Sequence, residues 1–481
     1  MPRLAPLLVA ALVAGCATAP AVTPPLPTTP PAAWSAGAPP SPGQQMRLDW
    51  WTAFQSAELE QLVAEALAAN RDVLAAEASL QAARALVAEA RTLRGPQAGV
   101  SAGLQRNREA ALSQPPVFGT PDRFANQTLG VLGAELSWEL DLAGGLAAAN
   151  RAAQADAGIA LWQRRQIEAA VTAQVVRAWL DLGRANDLDQ LAERRRSALE
   201  ASVALMVRRQ THGAATEAEV AALRRLSAES AAERPMIALA RNNALRRIAV
   251  LTGRDPVDFA RAAVPLTGRA ATPEDLVAPA PADMLRQRPD VQAAELKVIA
   301  TFERAGVARA ALYPSLSLGG AAGRMAAPRD LDQPGALRFS IGPSVSWGLF
   351  NLRRIHAGVR AADAEAEAAT AAWGQAILVA LEEADGALDA WRTARSSSRA
   401  VRAAADHARV EADATRARAR AGAATPLDLA LAEAALLSTE LALVNAEAAE
   451  RDAWAQAHLA LGAGWRPEAE QASAAAVATG A

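Results

Sequence analysis

Apolar residues follow two alternating rhythms along the chain. Between 57 and 94 they fall at Leu59, Leu62, Val63, Leu67, Val73, Leu74, Leu80, Leu86 and Val87, the spacing of one helix face. Pro96 follows and stops that helix. The rhythm then shortens to two: Val100, Ala102 and Leu104 alternate with Ser101 and Gly103. After a turn-rich loop, a second extended stretch covers 128–138. From about 147 to 212 the chain is helical again and free of Pro, a run of ~100 Å at 1.5 Å per residue. Mean globular helices have only ~11–12 residues. Gly213-Ala214-Ala215-Thr216 ends the run, with Gly in the helix-stop position. Thr216 then caps a return helix to about 253, with Glu219 in its first turn.

The same order recurs. A helix spans 283–312 and Pro314 ends it. Leu316 and Leu318 alternate with Ser315, Ser317 and Gly319. In 337–349, Phe339, Ile341, Val345, Trp347 and Leu349 share one face with Pro343, opposite Ser340, Gly342, Ser344, Ser346 and Gly348. A Pro-free helix covers 354–421, and Gly422-Ala423-Ala424-Thr425 repeats the first turn letter for letter. Asp428 stands where Glu219 stood, and the return helix runs to about 461. Asp72-Val73 matches Asp290-Val291 at an offset of 218, and Trp138 matches Trp347 at 209. A period near 210 is too long for a solenoid, so the chain is an internal tandem duplication. The halves are 50–253 and 283–462, joined by 254–282 and followed by a flexible tail, 463–481.

A strand with one apolar and one small-polar face suits a sheet between core and water, or a barrel wall between lipid and a watery lumen. Four such strands cannot close a barrel, whose minimum is ~8, and an open edge cannot sit in lipid. A membrane sheet therefore demands several chains, and three would supply twelve strands. The fold class is mainly α with a small β part.

Composition narrows the function. Of 481 residues, 51% are hydrophobic and 21% charged, with a net charge of −2. No basic stripe marks a nucleic-acid binder, and the apolar content excludes general disorder. The four His residues are scattered, and no phosphate loop, nucleophile elbow or metal spacing occurs. Glu382-Glu383 and Asp385 read as a solvated helix face. No cofactor, metal or catalysis is expected. The one Cys, Cys16, follows a basic start, a short apolar run and Val13-Ala14-Gly15. That is a secretory signal over 1–15, and the small residues before Cys16 resemble a lipobox, which makes Cys16 the lipidated mature N-terminus. Residues 16–49, rich in Pro, Ala and Thr, read as an extended tether, with the fold beginning near Trp50-Trp51.

Trp138-Glu139-Leu140-Asp141-Leu142, Arg288-Pro289-Asp290-Val291 with Ala294-Glu295, and the two Gly-tipped hairpins together resemble the TolC-type outer membrane efflux proteins, in the lipoprotein, NodT-like branch that serves RND pumps. The resemblance implies a homotrimer: a twelve-stranded barrel in the outer membrane above an α-barrel of coiled-coil helices in the periplasm. Residues 254–282 and the chain ends would form a belt near its middle. It implies an acidic gate ring at the tunnel end, aligned with Asp428, with Glu219 its first-half equivalent and Leu431 where many relatives carry Asp. It implies docking of a periplasmic adaptor on Gly213, Ala214, Ala215, Gly422, Ala423 and Ala424, energy from an inner-membrane RND transporter, and outer-membrane lipid around the strands. Trp138 and Trp347 suit membrane-interface anchors, or residues packed where strand meets helix. A coiled-coil scaffold or adaptor lipoprotein is the alternative, but it leaves the paired strands without a role.

Overall fold

The computed structural model describes residues 27–35, 47–109, 125–262, 266–268, 270–271 and 276–467. Cys16, the signal 1–15 and the last part of the tail lie outside the described residues. The chain divides into two compact units.

One unit comprises Leu80–Ile159 and Ala294–Trp373. It holds one antiparallel sheet of β1 (Gln97–Glu109), β2 (Ala125–Leu140), β3 (Ser315–Ala326) and β4 (Leu337–Ser346), in that order. The register sets Val100 opposite Ala134, Ala134 opposite Ala322, and Ala322 opposite Phe339. Because side chains alternate faces, Val100, Leu104, Leu132, Leu136, Phe339 and Ile341 all share one face. That face is bare in the single chain: Val100 is 84% exposed and Phe339 80%. Gly99, Ser101, Glu135, Ser137, Ser317, Gly319, Ser340 and Gly342 line the other face. Among the described residues, the outer edges of β1 and β4 have no strand partner. Pro343 sits in β4, the outer strand of the sheet within one chain, and offers the ladder no N–H. Around the sheet, helix α3 (Gly145–Thr211) starts with Asp141 as its cap, whose carboxylate accepts from the N–H groups of Leu146 and Ala147 at 3.0 and 2.7 Å. Helix α7 (Pro289–Ala310) packs on α3 through Glu303, paired with Arg151 at 2.8 Å.

The other unit comprises Thr28–Ser79, Ala160–Ala293 and Gly374–Ala481. It holds α1 (Ala57–Ala69), the start of α2 (Arg71–Thr92), most of α3, α4 (Glu217–Leu251), α5 (Pro256–Arg261) and α6 (Pro281–Gln287). The later turns of α8 (Leu352–Arg420) and all of α9 (Pro426–Ala460) complete it. An aromatic core joins Phe54 to Trp454 at 5.2 Å and to Trp179 at 6.3 Å between ring centres, with Trp50 and His458 against Trp454. The long helices 147–212 and 354–421 and their return helices stand within two residues of expectation. Helix α4 continues through Pro235, which removes one backbone donor.

Two expected helices are each broken once. Asn70 interrupts 57–94 with an extended backbone, and Arg288 interrupts 283–312 in the same way. The causes are local. Asn70 Oδ1 caps α2 by accepting from the N–H groups of Asp72 and Val73 at 2.9 and 3.3 Å. Arg288 precedes Pro289, whose ring disfavours helical geometry in the residue before it. The fold also begins earlier than Trp50. Trp34 is buried, its Nε1–H donating to the Pro279 carbonyl at 2.8 Å, and the Ser35 backbone N–H donates to Asp385 at 3.0 Å.

Candidate functional site: the hairpin tips and the strand sheet

The two tips are built alike. Gly213 adopts φ +72° and Gly422 φ +73°, backbone that Gly reaches without Cβ strain. Past each Gly, Ala214 N–H donates to the Arg209 carbonyl and Ala423 N–H to the Arg418 carbonyl, both at 2.8 Å. This six-to-one bond closes the end of a helix. Gly213, Ala214, Gly422 and Ala423 are exposed, while Ala215 and Ala424 are half-buried. Ala215 and Leu427 pack around a cluster of Met206, Val220, Leu223 and Ala430. The tips of both hairpins thus share one small core within a chain.

Each return helix opens with a capping box. Thr216 Oγ1 accepts from Glu219 N–H at 3.3 Å, and the Glu219 carboxylate accepts from Thr216 N–H at 2.7 Å. Thr425 and Asp428 repeat this at 3.0 and 2.8 Å. The hydroxyl and then the backbone N–H of Thr425 hold the Asp428 carboxyl below its usual range. The Thr216 N–H, then its hydroxyl, does the same for Glu219. Asp428 is exposed and Leu431 is 51% exposed.

Trp138 and Trp347 occupy matching places at the helix-side end of the sheet. Trp138 Nε1–H donates to the Arg94 carbonyl at 3.0 Å, and Trp347 Nε1–H to the Leu312 carbonyl at 3.2 Å. Each ties a strand end to the connection that leads into its own half's first strand. Both keep exposed ring surface, so each is packed where strand meets helix with part of its ring left open.

Other placements escaped sequence reasoning. Arg288 is buried, with Nη2 donating to Asp290 at 2.7 Å and to Glu383 at 2.6 Å, and Nη1 donating to the Ala460 carbonyl at 2.8 Å. Glu383 and Asp385, expected on a solvated face, instead hold Arg288 and Ser35. Along the second hairpin, Arg402, Arg409 and Arg416 pair with Glu447, Glu440 and Glu433 at 2.5, 3.1 and 3.2 Å. That stride of seven, cations on α8 and anions on α9, was open to a heptad search. Among the described residues, no cluster of His, Cys, Asp or Glu could hold a metal. Among the described residues, no helix is long and apolar enough to cross a membrane.

Residues 62–254 and 280–463 match the outer membrane efflux protein family. The chain belongs to that family. The match falls on both repeats, as the duplication requires. The chain is similar to the outer membrane protein OprJ of Pseudomonas aeruginosa, 29% identical over 466 residues, covering 95% of each chain. It is also similar to nodulation protein T of Rhizobium leguminosarum bv. trifolii, 25% identical and covering 95% of this chain and 97% of that one. The structure of the outer-membrane channel OprN superposes with a TM-score of 0.79 at 29% identity, covering 93% of this chain and 100% of that one. The protein is therefore an outer membrane efflux channel of the TolC type and not an enzyme. Its strands belong to a barrel wall and its long hairpins to a tunnel wall.

Proposed function

We propose that three copies of this chain form one passive export conduit of a tripartite system. The observation that carries this is the open four-stranded sheet with a bare apolar face and two unpaired edges. Pairing β4 of one copy with β1 of the next removes every edge after three copies and gives twelve strands, as lipid demands. The helical hairpins of the three copies then wall a periplasmic tunnel. An adaptor docks on the tips at Gly213, Ala214, Ala215, Gly422, Ala423 and Ala424, and an inner-membrane RND transporter drives the cargo. Cys16 carries lipid and adds a second hold on the outer membrane. Asp428 and Leu431 stand near the narrow end as gate residues, with Glu219 the first-hairpin counterpart of Asp428. Relatives include a toluene efflux protein and a pyoverdine export protein, which supports small organic molecules as cargo here.

Light scattering of the detergent-purified protein should give the mass of three chains, and planar bilayers should show unitary conductance. A stable, non-conducting monomer would overturn the proposal. Intact mass of the membrane-purified chain should show a lipidated N-terminus at Cys16. Placing Glu at both Ala214 and Ala423 should abolish export while trimers persist.

A further inference from the structure

The charges on the sheet are sorted by face. Among the described side chains, the apolar face carries two charged groups, Arg106 and Arg324, and both are exposed. Glu135, Glu139 and Arg338 take the opposite parity, so that face carries both signs and the apolar face only arginine. Both arginines lie toward the strand ends far from the helices: Arg106 pairs with Thr128, and Arg324 with Leu132. Ten residues of β2 separate Trp138 from Thr128. At ~3.4 Å per residue and a tilt of ~40°, that is about 26 Å of height, close to the ~25 Å apolar band of a barrel. Trp138 thus marks one rim of the band and Arg106 the other.

The β3–β4 connection lies on this same face. A Cβ on Gly130 would stand 2.7 Å from Leu331 Cδ1, and Gly130 shares the parity of Leu132. Arg324 Nη1 donates to the Leu331 carbonyl at 2.9 Å. The connection brings Arg329, Asp330 and Asp332 to this level, and such charges do not rest in hydrocarbon. Headgroups therefore begin at Gly130, with one guanidinium a pleat above and one a pleat below.

We propose that this rim, formed by Arg106, Arg324 and the connection 327–336, binds a phosphorylated glycolipid of the outer leaflet. Guanidinium groups match phosphate oxygens in bidentate geometry. Asp330 and Asp332 accept from sugar hydroxyls, which a glycolipid offers and a simple phospholipid such as phosphatidylethanolamine does not. The inference rests on the barrel reading above, because it needs the apolar face to meet lipid.

The test uses the full-length, delipidated protein in neutral detergent, with lipid A, enzymatically dephosphorylated lipid A, phosphatidylglycerol and inorganic phosphate as probes, read by native mass spectrometry. Lipid A should stay bound to the parent. R106Q/R324Q should bind it about 30-fold more weakly, at about a fivefold loss per arginine, and dephosphorylation should weaken binding to the parent similarly. E135Q, on the other face, should bind as the parent does. Equal binding by R106Q/R324Q, equal retention of phosphatidylglycerol, or displacement of lipid A by millimolar phosphate would overturn the inference. Insertion into phosphatidylcholine vesicles is measured alongside. A parent that inserts without preferring lipid A sinks this inference alone, whereas one that never inserts sinks the barrel reading beneath it.

Discussion

The two halves close the same joint with different chemistry. In the first, Asn70 Nδ2–H donates to the Leu251 carbonyl at 3.0 Å, at the last residue of α4. In the second, Arg288 Nη1–H donates to the Ala460 carbonyl at 2.8 Å, at the last residue of α9. Gly253 and Gly462 follow with φ of +72° and +88°. The geometry kept by both halves is a side-chain donor on the final carbonyl of the return helix, which has no helical partner of its own. The neutral amide spends its oxygen capping the next helix. The guanidinium adds a positive charge at a helix C-terminus, where it suits the dipole, and it recruits Asp290 and Glu383 to offset its burial. A duplicated fold can thus keep a contact while changing its charge, and the charged version ties more elements together.

Removing each donor measures the difference. Arg288→Ala leaves Asp290, Glu383 and the Ala460 carbonyl without their donor; because Glu383 is half-exposed, the loss is that of charge-assisted hydrogen bonds, about 1.5–3 kcal/mol each. Asn70→Ala loses neutral hydrogen bonds and leaves one buried carbonyl unpaired, at about 1–3 kcal/mol. Thermal or denaturant unfolding followed by far-UV circular dichroism should rank Arg288→Ala well below Asn70→Ala. Equal losses would mean that the charge adds nothing to the joint.

Position 458 separates the halves again. Its first-half equivalent is Ala249, buried without a titrating group. His458 is buried between Trp50 and Trp454, its Nδ1–H donating to the Trp454 carbonyl at 2.9 Å. Burial lowers its pKa from 6.5 to about 4, against a smaller opposing effect of that hydrogen bond. The folded chain therefore holds the neutral ring. Above pH 6.5 neither state takes a proton and stability is unaffected. Below it the unfolded chain protonates first, so stability falls until about pH 4, by about 3 kcal/mol in all. Denaturant titrations between pH 7.5 and 4 should show that slope, and His458→Phe should flatten it. A parent curve without the slope would show that the cluster opens to water.

The helical frame was legible because its signals are local: no Pro across two long runs, a Gly-tipped turn and a Thr cap. The strands were legible from alternation, but the β2–β3 pairing that joins the two hairpins was not, because duplication sets each hairpin and not how they meet. The break at Arg288 is written in Pro289, whose ring disfavours helical geometry before it. The break at Asn70 carries a weaker signal, since Asn caps helices and also occurs inside them. Trp34 escaped because its partner Pro279 lies 245 residues away, and a Pro-rich neighbourhood argued for a free tether. Glu383 and Asp385 escaped for the same reason, since a helix face shows its acids but not what docks on them.

The docked N-terminal segment sharpens the contrast on the long helices. Asp385 of α8 accepts from Ser35, whereas its first-half equivalent, Arg177 of α3, pairs with Asp452 at 2.8 Å. One position holds the N-terminal segment at Ser35 and the other holds α9. Asp385→Ala removes acceptors worth roughly 1.4 kcal/mol at this half-exposed site, so limited proteolysis near Ser35 should quicken about tenfold. Arg177→Ala should leave that cleavage unchanged. Matching rates in the two variants would show that Trp34 alone holds the segment.

The smallest expected difference lies at the tips, where the two halves are most alike. Both boxes use a Thr hydroxyl and a carboxylate, yet the second hairpin adds exposed Leu431 where the first has Ala222. If three second hairpins converge, Asp428 forms a ring of like charge that attracts cations, while Glu219 remains a helix-end charge. Asp428→Asn separates the two roles, because its amide oxygen still accepts from the Thr425 N–H while the charge is gone. Asp428→Ala removes both. We expect Asp428→Asn and Asp428→Ala to weaken divalent-cation block in planar bilayers alike, by a few-fold, and Glu219→Gln to change it little. Only Asp428→Ala should fray the tip, seen as faster hydrogen exchange in the first turn of α9. A parent-like block in Asp428→Asn would assign the carboxylate to the capping box alone, and closure of the tunnel would then fall to Leu427 and Leu431, whose apolar side chains keep a narrow pore dry without any charge.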